Sequence, residues 1–186
     1  MKITNQASER EVAPEGTFNA ICVQIVDLGT QTSVYKGKEK DVHKISFSFE
    51  IQDEVNSSGE PFYVYKNYSL SLAPKSSLSK DLKTWKGVTI ERGKSFDVAT
   101  LLGQPALVTI VHNEGDGVTY ANIQGLAAPM KGTKIKKVKA DLIGFYMDGK
   151  VLDTENFDKL GEYLQTKISG SAEFQGLAKG GKTKKK

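Results

Sequence analysis

Lysines, tyrosines and one asparagine are the residues of this chain whose types and spacing suit chemistry. Tyr35 is followed by Lys36, Lys38 and Lys40 around Gly37, then by Lys44, while Tyr63, Tyr65 and Asn67 alternate further on. Flat rings and flexible cations together suit an unpaired nucleic-acid strand. Each base stacked on an aromatic ring contributes roughly 1–3 kcal/mol, and lysine ammoniums neutralise the phosphates between bases. Tyr120 and the lysines Lys134, Lys136 and Lys137 extend the set. Cross-strand packing is the ordinary alternative for tyrosines in a sheet.

The net charge of +4 conceals an uneven distribution. Lys131, Lys134, Lys136, Lys137 and Lys139 fall in one segment without an acid, and Lys179, Lys182, Lys184, Lys185 and Lys186 in another. Setting these ten aside from the 26 basic residues leaves 16 against 22 acidic ones, a net −6. Attraction to an anion must therefore come from local lysine clusters.

Other chemistries find little support. Gly176-Leu177-Ala178-Lys179-Gly180-Gly181-Lys182-Thr183 matches the phosphate-loop string, but that chemistry needs a strand before the loop and a helix after it. With three lysines following Thr183, the expectation is a chance match. His43 and His112 are the two histidines, each in an expected strand and neither beside a recognisable acid/base motif. Cys22 is the single cysteine, inside an apolar stretch, which leaves no internal disulfide and no cysteine cluster for zinc. No spaced ligand set suggests a metal, and no cofactor is expected. No apolar run approaches the ~20 residues of a membrane span. The Met1-Lys2-Ile3 start leads into polar sequence, so the expectation is a cytoplasmic protein with no membrane partner.

The elements that must position these residues follow from hydrophobic period. Residues 1–16 are polar and read as a flexible arm. Phe18 to Leu28 reads as strand one, with Ile21, Val23 and Ile25 on one face and a bend at Gly29. Thr30 to Lys40 reads as a long hairpin loop. In strand two, His43, Ile45, Phe47, Phe49 and Ile51 alternate with solvent-facing Lys44, Ser46, Ser48 and Glu50. In strand three, Phe62 to Leu72, Tyr63, Tyr65 and Asn67 share the outer face, and Lys66 interrupts the inward row, predicting a bulge or an edge. Leu78, Leu82 and Trp85 recur at helical spacing between Ser76 and Gly87, and a short second helix is expected from Asp97 to Gly103. Strand four, Ala106 to His112, and strand five, Val118 to Gly125, close the series.

Three strands, a helical insertion and two more strands are the connectivity of an OB barrel. The expected fold class is mainly β with helical additions (α+β). It comprises a five-stranded OB-type barrel over residues 17–128, a basic linker over 129–140, a hairpin and helix over 141–168, and a disordered basic tail over 169–186. The helix presents Phe157, Leu160, Leu164 and Ile168, a face expected to dock on the chain's own barrel, with a second copy in a homodimer as the alternative occupant.

Several strings resemble one family. They are Gly16-Thr17-Phe18, the run Ile25-Val26-Asp27-Leu28-Gly29-Thr30-Gln31-Thr32, the run Leu102-Gly103-Gln104-Pro105-Ala106-Leu107-Val108, His112-Asn113 and Tyr120-Ala121-Asn122-Ile123. Together they resemble small bacteriophage OB-fold single-stranded DNA-binding proteins over roughly the first 130 residues. The resemblance implies a non-enzymatic accessory of phage DNA replication or recombination. Its partners would be single-stranded nucleic acid, DNA before RNA, and proteins of those processes. Many such proteins end in an acidic tail, whereas this sequence ends in lysines. The expected contacts are stacking by Tyr35, Tyr63 and Tyr65, and phosphate pairing by Lys36, Lys38, Lys40 and Lys44. The competing class is a protein-interaction module, such as a phage inhibitor that mimics DNA with its acidic surface to block a host nuclease or defence protein. A nuclease or nucleotide-hydrolysing enzyme is weaker still, for want of motifs.

Overall fold

The computed structural model describes residues 11–35, 37–149 and 151–180, with Tyr35 described in its backbone. The chain is mostly β. Strand β1 (Gly16–Tyr35) runs antiparallel to β2 (Lys38–Val55), which pairs with β3 (Pro61–Ser69). After helix α1 (Ser77–Lys86), β4 (Pro105–Gly115) returns to the other edge of β1, and β5 (Val118–Ala127) pairs with β4. The sheet order is β3-β2-β1-β4-β5, with the short β6 (Ile143–Phe145) parallel to β1. Helices α2 (Thr154–Asp158), α3 (Glu162–Ser169) and α4 (Ala172–Gly180) follow. Among the described residues no helix is long and apolar enough to cross a membrane.

Local chemistry explains the elements that match their expected places. The Ser76 hydroxyl caps α1 by accepting from the Ser79 amide, and Gly87, at φ 67°, ends it by donating to the Lys83 carbonyl. Leu78, Leu82 and Trp85 are buried, and Trp85 packs edge-on against Phe49 while its indole N–H donates to the Pro105 carbonyl at 2.7 Å. The short second helix is a single 3-10 turn, Val98–Leu101, capped by Asp97. Strand β4 runs past its expected end at His112 to Gly115, which pairs with Val118 across Asp116-Gly117, both at positive φ, the two-residue turn that suits strand twist.

The structure corrects several expectations. In β1 the row facing the main core is Ala20, Cys22 and, after a register shift between Cys22 and Gln24, Ile25, not Ile21, Val23 and Ile25. One extra residue in a strand flips every side chain beyond it. Beyond that shift β1 has left β4, and its free edge pairs with β6 at Gln24–Val26. The opposite face of β1 is buried as well, because Val26 and Leu28 form a second core with Phe145, Met147, Leu152, Leu160 and Ile168. Thr30 to Lys40 is no loop: β1 and β2 stay paired out to Tyr35 and Lys38, a two-stranded arm. Of the two alternatives at Lys66 the edge holds and the bulge does not: β3 is an edge strand, and its pairing with β2 is continuous from Lys44–Ser69 to Glu50–Tyr63. The Lys66 ammonium reaches Asp81 at 2.8 Å, beside the Tyr68 hydroxyl on the same carboxylate. Strand β3 ends at Ser69, and Leu70 is exposed.

The C-terminal third departs furthest. In place of the hairpin over 141–152 the described residues form β6 and irregular chain, and the following helix breaks over Lys159, Leu160 and Gly161 into α2 and α3. Their apolar face docks on the chain's own sheet. Residues 172–180, expected to be disordered, form α4, whose Phe174 and Leu177 pack on the second core. The phosphate-loop lookalike thus begins inside a helix, and its Gly181 to Thr183 lie outside the described residues. The N-terminal arm, expected to be flexible, is anchored over residues 11–15. Ala13 is buried, Glu11 accepts from the Ser57 amide at 2.9 Å, and Glu15 accepts from the His112 amide at 2.6 Å.

Candidate nucleic-acid interface

The outer face of β2 and β3 is built by in-register pairs: Ser48 opposite Tyr65 and Ser46 opposite Asn67. Next to them α3 stands over the sheet, and a groove of about 500 Å³ opens between. Strands β1 and β2 contribute Leu28, Ser46 and Ser48, and β3 contributes Tyr65 and Asn67. Helix α3 lines the other side with Tyr163, Leu164 and Lys167. Tyr65 is 59 % exposed and Tyr163 69 %, and the hydroxyl of Tyr65 has no hydrogen-bond partner among the described residues. The Lys167 ammonium lies 5.4 Å from the centre of the Tyr163 ring and 3.3 Å from its hydroxyl. Helix α3 is tied down where Gln31 donates to the Lys167 carbonyl at 3.2 Å and to the Leu28 carbonyl at 2.6 Å.

Lysines stand beyond both ends of this groove. Toward the β1–β2 arm, Lys38, Lys40 and Lys44 share the alternating row of β2 that continues into Ser46 and Ser48. Lys38 and Lys40 are exposed, while Lys44 is half-buried and donates to Ser33 at 2.5 Å. Toward the other end the basic segment crosses β2, with Lys136 donating to the Gln52 carbonyl at 3.1 Å. Lys134 and Lys137 are exposed there, with no ion pair or side-chain hydrogen bond among the described residues. From Lys40 to Gln52, at about 3.3 Å per residue, the row spans roughly 40 Å.

Tyr63 belongs to the second end but differs from Tyr65. Glu50, expected at the solvent face, is buried beneath the basic segment. Its carboxylate accepts from the backbone amides of Lys139 and Ala140, from Gln52 and, at 3.1 Å, from the Tyr63 hydroxyl. Burial and the Glu50 charge push the Tyr63 phenol up to about 12. Half of Tyr63 remains exposed.

Of the other expected contacts, Tyr35 pairs with Lys38 through the backbone at the arm's tip, and Lys36 lies outside the described residues. Tyr120 is exposed on β5 and does not line the groove. Tyr163 and Lys167 lie outside the apolar row of the 154–168 segment, so its hydrophobic period does not mark them; a tyrosine four residues before a lysine is the signal the sequence carries.

The histidines have polar partners that strand pattern did not indicate. His43 Nε2 lies 2.6 Å from Asp27 Oδ1, and its Nδ1 lies 3.4 Å from Glu173 on α4. Glu173 also accepts from the Thr30 amide at 2.8 Å and the Thr30 hydroxyl at 2.6 Å. Burial opposes ionisation of Glu173, but the Thr30 donors and His43 outweigh it and hold its carboxyl below the usual range. The two carboxylates sit on opposite nitrogens of one ring, which is the geometry of a latch and not of a metal site. Among the described residues no cluster of three or more His, Cys, Asp or Glu could hold a metal ion. His112 Nε2 lies 2.8 Å from the Ala13 carbonyl.

No protein-family model matches this chain, and no curated protein matches it.

Proposed function

We propose that this protein is a sequence-tolerant, non-enzymatic single-stranded nucleic-acid-binding protein, favouring DNA, that serves phage DNA replication or recombination in the host cytoplasm. The strand lies along the outer face of β2 and β3. The observation that carries this reading is the groove with exposed Tyr65, lying along β2 between one lysine cluster and another. Stacking on the ring supplies sequence-tolerant affinity, and lysines at both ends meet the phosphates on either side.

A closed OB barrel is part of the proposal. The order β3-β2-β1-β4-β5 leaves β3 and β5 as the two edges, and Lys66 on β3 donates to the Gln124 carbonyl on β5 at 3.3 Å. That contact supports a sheet curled until its edges meet.

Titration with a labelled oligothymidylate, its RNA counterpart and a matching duplex tests the function. Expected are preference for the DNA single strand and an affinity that falls with salt by a log–log slope of about −0.7 per phosphate contact. Tyr65→Ala should weaken binding about fivefold or more. Equal binding of strand and duplex, or no salt dependence, overturns the reading. Failure to bind any nucleic acid also overturns it and leaves the DNA-mimicking inhibitor as the competitor.

A further inference from the structure

We infer that α3 is half of the binding site: an unpaired nucleobase enters the groove between Tyr65 of β3 and Tyr163 of α3, and Lys167 pairs with the phosphate beside it. This rests on the single-strand reading above and adds a second wall to it. Both rings line one groove, and both are exposed although large aromatics are usually buried. Between them Ser48 and Asn67 offer a hydroxyl and an amide to a base edge without the fixed pattern that would demand one sequence. Lys167 already leans on Tyr163, so a cation stands next to the stacking surface before any ligand arrives.

Helix α3 is not free to swing away. Gln31 holds its last turn, Ile168 is fully buried, and α4 behind it is latched to β1 and β2 through Glu173. A wall fixed in advance loses little entropy on binding, the condition under which a stacked base contributes most.

The test is a double-mutant cycle on the full chain with an oligothymidylate and with an abasic strand of equal length. Tyr163→Ala should weaken oligothymidylate binding about fivefold or more and leave the thermal midpoint unchanged, because the ring is solvent-exposed. The Tyr65→Ala, Tyr163→Ala pair should lose less than the product of the two single losses, since both rings serve one base. On the abasic strand the Tyr163→Ala effect should vanish. Lys167→Gln should reduce the salt slope by about 0.7. An unchanged affinity for Tyr163→Ala, strictly multiplicative losses, or an undiminished effect on the abasic strand overturns the inference while leaving single-strand binding by the unaltered protein intact. Absence of binding by the unaltered protein overturns both.

Discussion

Tyr63 and Tyr65 stand two residues apart on the same face of the same strand, yet the structure gives them opposite surroundings. At the Tyr63 end the basic segment folds over the sheet and a buried carboxylate, Glu50, gathers its amides and the Tyr63 hydroxyl. At the Tyr65 end the sheet stays open, and α3 stands beside it as a wall. The difference comes from what the C-terminal third does. It crosses one end tightly enough to bury an acid, and at the other end is held by Glu173, which remains partly exposed. One face therefore carries a half-exposed tyrosine whose hydroxyl is tied to a buried acid and another whose hydroxyl has no partner among the described residues, which alternation cannot distinguish.

The contrast can be broken hardest at Glu50. Glu50→Ala strands the amides of Lys139 and Ala140 without an acceptor and should cost about 3 kcal/mol in urea denaturation, with faster hydrogen exchange at those two amides. A loss under about 1 kcal/mol would mean that water replaces the carboxylate and that the covered end is not held by it. A finer comparison removes one oxygen from each ring. Tyr63→Phe should cost about 1 kcal/mol by taking a donor from Glu50, and Tyr65→Phe less than about 0.5 kcal/mol. Equal costs would erase the distinction between the two ends.

The smallest expected effect is one of pH at the Glu173 latch. Because the folded carboxyl titrates below its ordinary value, its stabilisation is complete above the unfolded value and is lost as pH falls through the folded one. The thermal midpoint of Glu173→Gln should therefore lie below that of the unaltered protein at neutral pH, and the gap should narrow from the ordinary carboxylate range downward and close once pH has fallen through the lowered folded value. A gap that persists in acid would show that the charge of Glu173 is not what holds α4.

Much of this was legible wherever one residue row faces one core. The strict alternation of His43 to Ile51 predicted which row of β2 meets the main core, though not that Ser46 and Glu50 in the other row are buried too, and the Leu78, Leu82, Trp85 spacing with Ser76 and Gly87 predicted α1 nearly to its ends. Reading failed where two layers bury one strand. In β1, Ile21, Val23, Ile25 and Val26 are all buried, so apolar character no longer marks a face and the register shift passed unseen. The paired arm was also hidden, because solvent-exposed strands with polar residues on both sides carry no hydrophobic period.

By itself the sequence determined the order of the first five strands, α1 and the outward row of Tyr63, Tyr65 and Asn67. These depend on contacts close along the chain or on a period imposed by a single buried face. Only the tertiary structure decided that residues 139–140 cover Glu50, that α4 exists and is latched by Glu173, and that Tyr163 faces the same groove as Tyr65. Each of those joins residues some 90 or more positions apart, and a contact at that range leaves no local pattern in either partner.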